Sequence, residues 1–124
     1  MPPTSPLALG ESRVRRYYEL VDRGDVGALI SLFADDAVYY RPGYAPLTGR
    51  TELERFYRAD RVISAGRHTL STLVGSAGHI AVHGHFDGVL RDGQAVYLRF
   101  ADFFSLNDEG TFARRDTFFF APMV

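Results

Sequence analysis

The chain has 124 residues, 46% of them hydrophobic, with 14 basic and 15 acidic side chains and a formal net charge of −1. That length makes one domain, burying roughly two-thirds of the surface its unfolded form exposes, and the charge balance excludes the basic footprint of a nucleic-acid binder or a protein drawn to anionic membrane. Cysteine is absent, which removes a disulfide framework and a thiol nucleophile, and no apolar run approaches the roughly 20 residues of a membrane span, so a soluble cytoplasmic protein is expected.

Residues 1–10 are rich in proline and serine and predict a loose arm, leaving 11–124 as a single domain. From Glu11 to Arg23, the residues Val14, Tyr17, Tyr18, Leu20 and Val21 recur near every 3.6 positions, with Arg15, Arg16, Glu19 and Asp22 on the wet side, the pattern of an amphipathic helix. The cluster Arg13, Arg15, Arg16 reads as part of that solvated face. Gly24 ends the helix, and Asp25 caps a short second one whose apolar face is Val26, Leu29, Ile30, Leu32 and Phe33. Asp35-Asp36 is expected to turn the chain into a strand, Ala37 to Arg41, halted at Pro42.

The segment 43–49, broken by glycine and proline, predicts a loop. Thr51 and Glu54 have capping-box spacing and predict a third helix with Leu53, Phe56, Tyr57, Val62 and Ile63 inward, stopped at Gly66. Beyond it the period falls to two, giving strands at about 67–75, 79–90, 94–106 and 111–120, joined by turns rich in glycine, aspartate and asparagine. Helices followed by a long antiparallel meander is an α+β layout, in which a curved sheet wraps the helices into a cone.

Alternation in the third of these strands puts Val96, Leu98, Phe100, Asp102 and Phe104 on one face, so Asp102 is a lone charge in an apolar row. A carboxyl group there must either find a cation or stay protonated as a hydrogen-bond donor.

A tyrosine in the first helix, then Arg23-Gly24-Asp25, then Leu32-Phe33-Ala34-Asp35-Asp36-Ala37, then a strand ending before proline, resembles the ketosteroid isomerase branch of the NTF2-like superfamily, which also holds the SnoaL-type polyketide cyclases and limonene epoxide hydrolase. The likeness continues through Leu47-Thr48-Gly49-Arg50, Arg55-Phe56-Tyr57 and Asp102-Phe103-Phe104. It implies an NTF2-like cone, three helices in a curved antiparallel or mixed sheet. By that resemblance Asp102 matches the family's protonated aspartic acid, Tyr17 its oxyanion-hole tyrosine and Tyr57 a supporting tyrosine. The alternative is that Tyr17 is a core aromatic and that Asp102 pairs with an arginine.

The family's general base is an aspartate directly before the proline that ends the first strand, and here that residue is Arg41. Arginine cannot abstract a proton, so steroid-type isomerisation is disfavoured. Arg41 is left to bind an anion, to pair with an acid, or to stand in solvent. The resemblance offers Asp116, in the context Arg115-Asp116-Thr117-Phe118, or His85, in His85-Phe86-Asp87, as the group that moves protons. If Phe86 matches a pocket aromatic, His85 and Asp87 turn outward, because one residue of register decides the face. His83 and His85 lack an evident third metal ligand, so no metal and no cofactor are expected.

The expected pocket is formed by Phe33, Tyr39, Phe56, Tyr57, Phe86 and Phe104 and suits a flat or polycyclic small molecule. Function is then either SnoaL-like cyclisation or isomerisation of a polyketide-like, oxygenated substrate without a cofactor, or ligand capture by a non-catalytic binding or assembly domain, with an epoxide hydrolase-like enzyme as a further alternative. A homodimer is expected on the outer sheet face, through Tyr97, Phe103, His83 and the run Phe118-Phe119-Phe120.

Overall fold

The structure is a computed structural model that describes residues 5–121. Its first helix, α1 (Pro6–Arg23), starts earlier than expected: the Ser5 side chain accepts the Ala8 N–H at 3.1 Å and proline occupies the first turn, so residues 6–10 are helix rather than arm. Residues 1–4 of the expected arm lie outside the described residues. At the other end Gly24 adopts φ 74°, its N–H donates to Val21 O, and the Asp25 N–H donates to Leu20 O. The Asp25 carboxylate then accepts the Ala28 N–H at 3.2 Å, so one short segment closes α1 and opens α2 (Val26–Ile30).

The strand β1 spans Phe33–Tyr40, and the turn expected at Asp35-Asp36 is a break in register inside it. Arg50 holds that irregularity, donating from Nε and Nη2 to Phe33 O at 2.9 and 2.6 Å and pairing with Asp35 at 2.9 Å. After β2 (Leu47–Thr48) comes α3 (Gly49–Arg55). The capping box does not form: the helix opens before Thr51, and Glu54 instead pairs with Arg58 at 3.1 Å. α3 widens into a π-turn, Phe56–Asp60, closed by the Arg61 N–H on Phe56 O.

Four long strands follow: β3 (Ile63–Ser76), β4 (His79–Leu90), β5 (Ala95–Leu106) and β6 (Phe112–Phe119). β3 begins where the third helix was expected to continue, and Val62 just before it is exposed. The sheet order is β2-β1-β6-β5-β4-β3, with β1 parallel to β6 and every other pair antiparallel. Register shifts in β3 and β5 bend this mixed sheet, as bulges do. α1 packs on β3 and β4, and α3 on β1, so the fold is the expected α+β cone.

The core between helices and sheet contains Val14, Leu20, Leu29, Phe33, Ile80, Phe104 and Phe112. The rings of Phe33 and Phe112 are 5.3 Å apart and those of Phe104 and Phe112 4.8 Å apart. Burying each such ring contributes about 1.5–3 kcal/mol. Phe33 and Phe104, expected in the pocket, belong to this closed core and do not line the cavity.

Candidate functional site

Between α1, the π-turn and the inner face of the sheet lies a cavity of about 160 Å³, roughly tenfold the room a single water needs. Its wall is aromatic and aliphatic, with Tyr39, Phe56, Phe86, Leu98 and Phe100 prominent. The ring of Phe86 lies over Gly66 and Gly88, which face each other across β3 and β4; a Cβ on either would meet that ring within 2.3 Å. The π-turn brings the neighbouring side chains Phe56 and Tyr57 both to the cavity. Tyr39, Phe56, Tyr57 and Phe86 thus all line the cavity.

At the buried end, Asp102 is fully enclosed. Its carboxylate accepts from Arg115 twice, Nη2 to Oδ2 at 2.8 Å and Nε to Oδ1 at 3.2 Å, and also accepts the hydroxyls of Tyr18 and Thr117. With four donors on two oxygens it is saturated and carries charge against the guanidinium. Of the two outcomes open to a lone acid in an apolar row, the cation has won. The protonated donor that the isomerase resemblance implies has no place here, because the group has become an acceptor.

Burial, the largest influence on Arg115, works to discharge it, but Asp102 and the tyrosines Tyr17, Tyr39 and Tyr57 outweigh that and hold it charged. Its remaining nitrogen, Nη1, donates to the hydroxyl of Tyr17 and to that of Tyr57 at 3.2 Å, and the two hydroxyls bond each other. Burial pushes the Tyr17 phenol well above its ordinary range, so it remains a neutral phenol. Tyr39 is pushed up to about 12, again chiefly by burial, and its hydroxyl meets Thr117 at 3.4 Å. Tyr57 is the partly exposed member of this group.

Toward the open rim, the Arg41 guanidinium sits 4.4 Å from the ring centroids of both Tyr44 and Phe56. Its Nε is buried and has no partner among the described residues. Arg41 therefore lines the cavity as a stacked cation with an unused donor.

The two expected proton-moving residues are elsewhere. Asp116 opposes Phe103 on the outer face and pairs with Arg114 at 3.0 Å, while its neighbours on β6, Arg115 and Thr117, face inward. His85 opposes Arg99 on β5 and stands beside Tyr97, with Asp87 3.7 Å away. Phe86 points inward, so His85 and Asp87 turn outward, which resolves the register alternative. Neither Asp116 nor His85 lines the cavity. Among the described residues no group of three or more His, Cys, Asp or Glu side chains could hold a metal ion, and no helix is long and apolar enough to cross a membrane.

The sequence reading passed over Arg115, Thr117, Tyr18 and His68. His68 lines the cavity from β3, and its partner is Asp22, assigned from sequence to the wet side of α1.

Comparison with known proteins places this geometry in a family. Among solved structures, an NTF2-like protein of unknown function from Burkholderia pseudomallei superposes with TM-score 0.82 at 20% identity, over 90% of this chain and 91% of that one. The epoxide hydrolase/cyclase-like enzyme SalBIII, described as having a role in pyran ring formation in polyether salinomycin, gives 0.79 at 19% identity over 90% of each chain. A putative polyketide cyclase from Xanthomonas campestris pv. campestris gives 0.77 at 21% identity over 91% of each. At such identities the likeness is one of fold. Residues 14–115 match the SnoaL-like domain, and the chain belongs to that family.

Proposed function

We propose that the protein is a SnoaL-like enzyme that cyclises or isomerises an apolar, oxygenated small molecule of polyketide type by acid–base chemistry of its own side chains, with no cofactor invoked. The observation that carries this reading is the buried end of the cavity, where a charged arginine stands behind the hydroxyls of Tyr17 and Tyr57. Arg115 donates to Tyr17, Tyr17 can donate onward to Tyr57, and the Tyr57 hydroxyl is then free to donate to a ligand oxygen. Such a relay favours charge developing on that oxygen, as an enolate does, within a site shielded from water. The role expected of Tyr17 and Asp102 together passes in this reading to Tyr57, with Tyr17 behind it and Asp102 anchoring Arg115.

Arg41, at the other end, orients the substrate. Its buried, unpartnered Nε and its aromatic stacking suit a carboxylate or a second enolate rather than a neutral ketone. The structural likeness to an epoxide hydrolase/cyclase-like enzyme and to a putative polyketide cyclase supports an oxygenated, ring-forming substrate class.

Non-catalytic ligand capture is the second reading. It is favoured by the saturation of Asp102, which removes one expected catalytic acid. The test is to follow exchange of the acidic C–H of an enolisable 1,3-diketone in deuterated water, alongside calorimetric titration of 4-nitrophenol. Exchange that falls on Tyr57→Phe supports the enzyme. Binding of 4-nitrophenol that depends on Tyr57, without exchange, supports capture.

The reading includes a homodimer on the outer sheet face, where Tyr97, Phe103 and Phe118 are exposed and the Phe103 and Phe118 rings lie 5.8 Å apart. Phe119 is removed from that expected patch because it lines the cavity. A monomer by light scattering at micromolar concentrations and above would contradict the dimer.

A further inference from the structure

We propose that His68 is the proton acceptor of the cavity, through Nε2, and that Asp22 is the residue that positions it. The proposal rests on the acid–base reading above, which leaves the cavity without an assigned base.

The titratable side chains lining the cavity are Tyr17, Tyr39, Arg41, Tyr44, Tyr57, Asp60, Arg61, His68, Asp102 and Arg115, and few of them can take a proton near neutral pH. Arginines cannot, and neutral phenols cannot. Asp102 has every oxygen occupied by donors. Asp60 lies at the exposed rim, in water. Of the groups able to take a proton, His68 alone combines enclosure with a nitrogen that has no protein partner among the described residues.

The geometry around His68 is that of a prepared base. Asp22, in the last turn of α1, accepts the backbone N–H of His68 on Oδ2 at 2.9 Å and the ring Nδ1–H on Oδ1 at 2.6 Å. Both carboxylate oxygens thus grip the same residue, fixing the ring and placing its proton on Nδ1, so the lone pair is on Nε2. The ring is wedged against Phe86, Tyr18 and Phe100, with centroids 4.7, 5.1 and 5.5 Å away. The His68 side chain is 11% exposed and that of Asp22 22%, the latter bordering a second cleft between the end of α1 and the start of β3. The base is therefore the more enclosed of the two, and the carboxylate behind it the more exposed. Burial, the largest influence, lowers the His68 pKa; Asp22 opposes this from α1, and Arg115 on β6 and Arg61 before β3 add to the lowering. Tyr18, the other titratable group against the ring, stays neutral because burial pushes its phenol well up. His68 is accordingly neutral at pH 7, and the imidazolium formed on protonation lies against a carboxylate.

The probe is 5-nitrobenzisoxazole, a flat neutral aromatic whose decomposition needs only a base. His68 Nε2 takes the C3 proton, the C–H electron pair becomes the new C–N π bond of a nitrile, the N–O bond breaks, and its pair leaves on the phenolate oxygen. The proton on His68 then returns to water. With the full chain, the expected rate exceeds that of free imidazole at equal concentration and rises with pH to a plateau, with a midpoint below imidazole's ordinary 6.5 or so. His68→Gln is expected to lower the plateau about a hundredfold or more, the scale of general-base catalysis. Asp22→Asn is expected to lower it too and to move the midpoint to still lower pH, because the group that raises the His68 pKa is gone; a merely structural role for Asp22 would leave the midpoint in place.

No acceleration over imidazole, an unchanged rate and pH profile in His68→Gln, or loss of activity in Asp60→Asn instead, would overturn the proposal. Nitrogen-15 NMR of the unaltered protein gives a test that needs no variant to fold: the Nδ1–H tautomer of His68 is expected, and the Nε2–H tautomer would overturn it. Titration of 4-nitrophenol against Tyr57→Phe separates the two levels. Tyr57-dependent binding with an inert His68 refutes this inference alone, whereas Tyr57-independent binding refutes the functional reading beneath it.

Discussion

The two ends of the cavity are built on opposite plans. At the buried end the charged groups are saturated: Asp102 receives four hydrogen bonds, all the nitrogens of Arg115 are engaged with Asp102, Tyr17 and Tyr57, and only the Tyr57 hydroxyl at the edge of the network keeps a proton to give. Nearer the rim, Arg41 keeps an idle Nε against aromatic rings; on the β3 wall, His68 keeps an idle ring nitrogen while Asp22 and the Phe86 ring hold it in place. A saturated network fixes shape and polarises its neighbours, while spare valence is what a ligand can use. The difference predicts that substitutions at the buried end are felt first as lost stability, and those nearer the openings as lost binding or rate.

The largest effect is expected from Asp102→Leu, which leaves the Arg115 charge buried and unpaired. Urea denaturation should show a loss of about 3–5 kcal/mol, and adding Arg115→Met should restore much of it, since an apolar pair of similar volume often equals a buried ion pair. A loss under 1 kcal/mol would show that water reaches the network and that the two ends are alike.

Next comes Arg41→Met, expected to weaken binding of 4-nitrobenzoate by about 1.5–3 kcal/mol while leaving 4-nitrobenzamide and the urea midpoint nearly unchanged. Equal losses for both ligands in calorimetry would make Arg41 a structural residue. Gly66→Ala is a third probe, because its Cβ would stand 2.2 Å from the Phe86 ring and 2.6 Å from a backbone oxygen. A cost of about 1–3 kcal/mol is expected, with Phe86 displaced into the cavity and bulky ligands excluded. An unchanged urea midpoint and ligand range would contradict that packing.

The smallest effects are those of pH on stability, and their signs differ between the ends. The folded-state pKa of His68 is lowered, so the unfolded chain binds a proton first, and stability should decline as pH falls below about 6.5. Asp22→Asn should steepen that decline. The tyrosines of the buried end are raised, Tyr39 to about 12, so their contribution is complete below pH 10 or so and is lost as pH climbs through the folded values. Urea melts at a series of pH values check both limbs.

Much of the fold was legible because its signals are local. The tyrosine-bearing amphipathic helix, Gly24 and Asp25, and the period-two runs of β4 and β5 each carry their own information, and Asp102 stood out as one acid in an apolar row. Its partner did not, for a physical reason. β6 has Phe112, Arg115 and Thr117 inward, an odd step that follows the register shift at Ser105 and Leu106 and defeats simple alternation. Asp116 was thereby open to being read inward when it faces out. β3 hides His68 in the same way, with shifts at Ile63/Ala65 and Leu70/Thr72. Asp22 shows a different limit: a residue on the polar side of an isolated helix becomes a half-buried acceptor once β3 folds against it. Arg41, by contrast, stands out in the sequence by its place before Pro42, but only the packing of Tyr44 and Phe56 shows how its charge is held at the rim.

The most direct test of the division between the two ends is a crystal structure with 4-nitrophenolate bound. The account predicts the ring along Phe56, Phe86 and Phe100, with the phenolate oxygen within about 3.2 Å of the Tyr57 hydroxyl and the Asp102–Arg115 pair undisturbed. A ligand whose oxygen displaces Asp102 from Arg115, or one seated only at the Arg41 rim or on the outer aromatic face, would contradict it.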